Sequence, residues 1–119
     1  MIQNNCFTSD LHEVFATETG TVYQSDRECC LFIDFAGKFC RYTFPQLCQL
    51  KKKVNSFDIE EMLLNPFGAD IEIVSIAGSE HYYVLTAVEI LSFRELLAGT
   101  YVMFELNHIL RDQLQRIVV

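Results

Sequence analysis

Tryptophan is absent from this 119-residue chain, and proline occurs only twice, at Pro45 and Pro66. With so few prolines, helices and strands can run without interruption. The five glycines are scattered, so no glycine-rich phosphate loop is present, nor a Gly-x-Ser-x-Gly nucleophile elbow. Basic residues are also scarce, nine Lys and Arg against sixteen Asp and Glu, for a net charge of −7. That balance argues against nucleic acid as a partner, because non-specific binding depends on cations that neutralise phosphates. It argues equally against an anionic membrane surface. No apolar run approaches the ~20 residues needed to cross a bilayer. The opening Met1-Ile2-Gln3-Asn4-Asn5 lacks the charged and apolar regions of a secretory signal. A soluble, cytoplasmic protein is the expectation.

Chemistry-bearing residues are sparse too. Five cysteines, Cys6, Cys29, Cys30, Cys40 and Cys48, form no CxxC pair, and their odd number does not suit a disulfide framework. Cys40 and Cys48 sit among apolar neighbours and read as packing residues. Adjacent Cys29 and Cys30 would point to opposite faces of a strand, a poor geometry for one metal. The histidines are His12, His81 and His108, and His81 reads as a surface-loop residue. Glu105 and His108, spaced i, i+3, with Asp112 one turn on, form the only metal-ligand spacing. A helix-bundle di-metal site would need a second Glu-x-x-His, which the chain lacks. The alternative is a water-facing strip of locally paired polar groups. No cofactor is expected, and no catalytic residue is assigned.

What the chain does have is apolar material in an ordered plan. Half its residues are hydrophobic and ten are Phe. Leu31-Phe32-Ile33-Asp34-Phe35 meets the turn Ala36-Gly37, and Ile71-Glu72-Ile73-Val74-Ser75-Ile76 meets Ala77-Gly78. Aromatic-rich stretches follow, Phe39 to Tyr42 and His81 to Leu85. Each reaches a capping box, Thr43-x-x-Gln46 or Thr86-x-x-Glu89. Helical apolar spacing then begins, at Leu47, Leu50 and Val54 and at Ile90, Phe93 and Leu97. Two strand–strand–helix units are therefore expected, the second with a small insertion in its turn. Pro45 is tolerated in the first turn of its helix. Lys51-Lys52-Lys53 reads as that helix's last turn, where cations offset the dipole.

Around these units the pattern gives a hairpin over 13–24, with Gly20 at its turn free to adopt positive φ. A short helix should start at Asp58 and end before Asn65-Pro66. Phe67-Gly68-Ala69 leads into the second unit. Gly99-Thr100 is expected to separate two C-terminal helices, with one glycine-bearing continuous helix as the alternative. Met103, Leu106, Leu110, Leu114 and Ile117 form an apolar stripe opposite Glu105, His108, Asp112 and Gln115. So apolar a helix should touch two neighbours, within the chain or across a dimer. Asp34, interrupting an apolar strand, reads as an edge residue that discourages aggregation.

The fold class expected is α+β. One domain spans 1–119: a frayed 1–10, the hairpin 13–24, a first unit at 29–56, and a second at 70–119 with an extra C-terminal helix. Five to six strands should form one antiparallel sheet, with helices mainly on one face. Phe39, Tyr42, Tyr82 and Tyr83 fall in corresponding strands and are the expected interaction face, since Tyr combines an apolar ring with a polar tip.

The order Val14-Phe15…Gly20-x-Val22-Tyr23, Leu31-x-Ile33-x-Phe35, a Thr-capped helix, then Glu95-Leu96-Leu97-Ala98 and Glu105-Leu106, resembles a family of short bacterial proteins of uncharacterised function found chiefly in the Bacteroidetes. The resemblance covers roughly Val14 to Leu114. Members often carry an extra cysteine near the first hairpin, where this chain has Gln24-Ser25-Asp26. The family supplies no activity to carry over.

The functional expectation is a non-catalytic interaction module that self-associates as a homodimer, with a protein partner possible. A small metal- or thiol-dependent enzyme and a carrier of an apolar small ligand are the alternatives.

Overall fold

The computed structural model describes residues 11–65 and 71–118, with side chains as far as Leu110 in the last helix. The expectations for residues 1–10, Cys6, Phe67-Gly68-Ala69 and the side chains of Asp112, Leu114, Gln115 and Ile117 fall outside the described residues. The elements are β1 (Leu11–Ala16), β2 (Gly20–Ser25), β3 (Cys30–Phe35), β4 (Lys38–Tyr42), α1 (Phe44–Asn55), α2 (Ile59–Leu64), β5 (Ile71–Ser75), β6 (Tyr82–Thr86) and α3 (Ala87–Val118). The class is α+β, and the described residues form six strands. They do not form the single sheet expected, however. β1 to β4 make a four-stranded antiparallel meander, and β5–β6 a separate two-stranded sheet.

Local chemistry accounts for the boundaries. Phe35 pairs with Lys38 across the two-residue loop Ala36-Gly37, and both loop residues have positive φ, 55° and 76°. That is the primed turn whose twist matches its strands. β5 and β6 close at Ser75 and Tyr82, leaving a longer loop from Ile76 to His81. The two capping boxes have the same geometry. Thr43 N–H donates to Gln46 Oε1 at 2.9 Å and Gln46 N–H to Thr43 Oγ1 at 3.2 Å. Thr86 and Glu89 repeat both bonds at 2.9 and 3.2 Å. Asp58 caps α2 through the Glu61 N–H.

Strand alternation sets the core. Val22, Ile33 and Cys40 lie side by side in register, as do Gln24, Leu31 and Tyr42. From this face Leu31, Ile33, Phe35, Cys40 and Tyr42 join Leu47, Leu50 and Val54 of α1 and Ile90, Phe93, Leu96 and Leu97 of α3. Val74, Tyr83 and Leu85 bring the second sheet into the same core. The Phe35 and Phe93 rings stack at 4.3 Å, with Tyr83 edge-on to Phe93 at 5.0 Å.

Four expectations are corrected by packing. Gly20 does not take positive φ; it is needed because a Cβ there would lie 2.8 Å from the Asp34 carbonyl oxygen. Gly99 breaks no helix, and α3 is continuous for 32 residues. A side chain at Gly99 would overlap the Phe15 ring, so the glycine is a seat for β1. Asp34 is not on an edge, because β3 is flanked by β2 and β4. Cys48 is exposed, unlike buried Cys40.

Candidate functional site

Four aromatic residues were the expected face, and the structure divides them. Tyr42 and Tyr83 are buried, which removes both from any surface. Their inward phase explains it: Tyr42 follows Cys40, and Tyr83 precedes Leu85, on the core sides of their strands. The two hydroxyls share a hydrogen bond at 3.0 Å that ties one sheet to the other. Burial pushes the Tyr42 phenol up to about 12 and raises Tyr83 further in the same direction. Phe39 and Tyr82 remain about half exposed, at 53% and 52%. Phe39 stacks on Phe32 at 5.2 Å, on the side of the meander opposite the core. Tyr82 is held by Lys38, whose ammonium donates to the Tyr82 carbonyl and lies 4.2 Å from its ring centroid.

Tyr82 belongs to a larger apolar surface that the sequence reading missed. Register aligns Ile73 with Val84 and places Ile71 and Tyr82 on the same side of the β5–β6 pair. These four side chains are 47%, 61%, 52% and 46% exposed for Ile71, Ile73, Tyr82 and Val84. The opposite side carries buried Val74, Tyr83 and Leu85. The hairpin is therefore apolar on both faces, whereas a sheet with one wet face normally alternates apolar and polar. The available signal was Ile71-x-Ile73 set against Val74 within five residues, with only Glu72 and Ser75 polar.

A second apolar surface lies on α3. Its first half is packed, with Thr100 the last buried residue among its described side chains. From Glu105 to Leu110 every residue is exposed. This stretch packs less closely than the first half, and Asn107 and His108 line a cleft with Gln24 and Phe44. Val102, Leu106, Ile109 and Leu110 are among its exposed side chains. The helix as a whole meets β1, β2, β6, α1 and α2. Of the stretch from Tyr101 onward that was expected to touch neighbours, Tyr101, Met103 and Phe104 pack partly against the core, whereas Leu106 and Leu110 are exposed.

Glu105 and His108 lie on that exposed stretch, beside a shallow cleft shared with Phe104 and Ile109. The side chain of Asp112 is outside the described residues. Among the described residues no group of three or more His, Cys, Asp or Glu side chains is placed to hold a metal ion. A polar cleft of about 630 Å³ is lined by Arg41, Thr43, Gln46 and the loop from Gly78 to His81. Thr43 and Gln46 there already serve the capping box, and Gln46 Nε2 also donates to the Gly78 carbonyl at 3.3 Å. His81 sits edge-on to Tyr42 at 6.1 Å. No described helix is long and apolar enough to cross a membrane. No family model, curated protein or solved structure matches the chain.

Proposed function

We propose that this chain is a non-catalytic interaction module that works as a homodimer and takes up an apolar protein segment on the outer face of β5–β6. The observation that supports it is the set Ile71, Ile73, Tyr82 and Val84, four large apolar side chains together on one face and each about half exposed. Scattered apolar residues on a surface need no explanation, but a contiguous apolar set marks an interaction site. The face is firmly held. Val74, Tyr83 and Leu85 anchor it from beneath, and Lys38 fixes Tyr82 from the side. A preformed apolar surface gives up little conformational freedom when it is covered.

Binding of the apolar dye anilinonaphthalene sulfonate to the native protein tests this reading. Wild type is expected to enhance its fluorescence, and Tyr82→Asp with Val84→Asp is expected to lose most of that signal while keeping its circular dichroism. Equal signals from wild type and the double variant would overturn the assignment of the face.

A further inference from the structure

The same hairpin has an edge with no strand beside it among the described residues. There β5 pairs only with β6, and α1 packs against β5. The far side of β6 is turned toward β4, because Lys38 reaches the Tyr82 carbonyl there, while the Tyr42 and Tyr83 hydroxyls meet in the core beneath. Among the described strands β5 is thus the outermost at this end. The strand at the other end, β1, is defended: a bulge interrupts its register between Glu13 and Phe15, and His12 and Glu13 are exposed. Bulges and charges are the usual protection of an edge. β5, Ile71-Glu72-Ile73-Val74-Ser75, has regular register throughout, no proline, no lysine and β-branched residues at three of five positions.

The backbone phase can be read as well. The Tyr82 carbonyl accepts from Lys38 and so points away from β5. In an antiparallel pair, residues whose carbonyls point away from the partner strand alternate with those that pair, and the facing residue shares the phase. Tyr82, Val84 and Thr86 face Ser75, Ile73 and Ile71. Those three β5 residues therefore turn their N–H and C=O groups to the open edge.

We infer that β5 is the dimer strand, pairing antiparallel with β5 of a second copy about a two-fold axis at Ile73. This rests on the dimeric reading above and names its contact. Ile73 then faces Ile73 of the second copy, and Ile71 faces Ser75. All three outward-facing residues are used on each side, and no off-centre register uses as many. Glu72 falls opposite Val74, so the two Glu72 carboxylates are not placed face to face, a juxtaposition that would be destabilising. An extended peptide could satisfy the same backbone groups, but only a second copy brings the self-complementary Ile73 pair and the matched ends. The product is a continuous four-stranded sheet whose outer face joins two sets of Ile71, Ile73, Tyr82 and Val84 into one surface.

Sedimentation equilibrium at about 100 μM with a charge swap at Ile73 tests the inference, since specific interfaces of ordinary size bind more tightly than that. Wild type is expected to sediment at twice the chain mass. Ile73→Asp and Ile73→Lys alone are each expected at the monomer mass, because like charges then meet on the axis. An equimolar mixture of the two is expected to recover the dimer mass. In wild type, amide exchange at Ile71, Ile73 and Ser75 should slow at least tenfold on going from dilute monomer to dimer. A monomeric wild type overturns the inference. So does a dimer that neither variant disturbs, or a mixture that stays monomeric. Val84→Asp, on β6 and off the edge, separates this from the reading of the face. It should leave the mass doubled while dye binding falls; unchanged dye binding would sink the face and spare the edge.

Discussion

At the scale of single residues, the Tyr42–Tyr83 pair shows how a polar group can be kept in an apolar core. Each ring sits among Leu, Phe and Ile side chains, and each hydroxyl has the other as partner. An unpartnered buried hydroxyl would cost about 1–3 kcal/mol. Burial makes the phenolate form unfavourable, so Tyr42 in the folded chain ionises near 12, against an ordinary value near 10. The folded state therefore binds this proton more tightly than the unfolded state does. Its contribution to stability is complete below about pH 10 and is lost as pH rises through about 12. We expect the unfolding free energy of wild type in urea to fall across that window, with Tyr42 alone contributing about 1.4 kcal/mol for each pH unit in which only its unfolded form is ionised, and Tyr83, raised in the same direction, adding to the slope. Tyr42→Phe should start less stable at pH 8, because Tyr83 loses its partner, but decline less steeply from pH 10 to 12. Parallel slopes for the two proteins would show that Tyr42 does not titrate in this way.

At the scale of elements, what the sequence disclosed was whatever is written within a few residues. Thr43 with Gln46, Thr86 with Glu89, Asp58 before Ile59, and the Ala36-Gly37 turn each place cause and effect three residues apart or fewer. All were readable, and all appear with the expected geometry. Gly99 was misread because its reason is the Phe15 ring, a neighbour visible only after β1 has docked on α3. The split into two sheets was hidden for the same reason, since strand patterns do not state which strands pair. Tyr42 and Tyr83 were placed on a surface because a tyrosine's phase relative to the core is clear only when the register is known. Arg94 is a further long-range device. From α3 it donates to the carbonyls of Val54 at 3.1 Å, Asn55 at 3.4 Å and Phe57 at 2.5 Å, closing the last turn of α1, where carbonyls otherwise lack partners. Hydrogen bonds from a charged donor contribute about 1.5–3 kcal/mol. Arg94→Met is therefore expected to lower stability by roughly 2 kcal/mol in urea unfolding. Arg94→Lys should recover only part of this, since an ammonium cannot present the planar fork of a guanidinium. A change below ~0.5 kcal/mol in Arg94→Met would mean that water serves those carbonyls equally well.

At the scale of the whole molecule, the charge and the proposed contact pull in opposite directions. Each chain carries −7, so two copies approaching through β5 bring like-charged bodies together. The contact itself consists of backbone hydrogen bonds and an isoleucine pair, and it contains no cross-chain ion pair in the two-fold register. Salt should then act on the repulsion alone. The screening length falls from about 30 Å at 0.01 M to about 3 Å at 1 M ionic strength, so the long-range repulsion is progressively removed while the strand pairing is left nearly untouched. Dimer affinity is accordingly expected to rise with sodium chloride, on the order of tenfold between 0.02 and 0.5 M, equivalent to about 1.4 kcal/mol. Sedimentation equilibrium across that series measures it directly. A contact held by ion pairs, such as one through Glu105 and the basic residues of α1, would give the opposite slope and weaken with salt. The sign of the salt dependence thus separates an edge of backbone and aliphatic groups from a charged interface, independently of any substitution. A thermal midpoint that rises with protein concentration in wild type but not in Ile73→Asp would trace the same equilibrium from the folding side, because association that excludes the unfolded chain stabilises the fold by mass action.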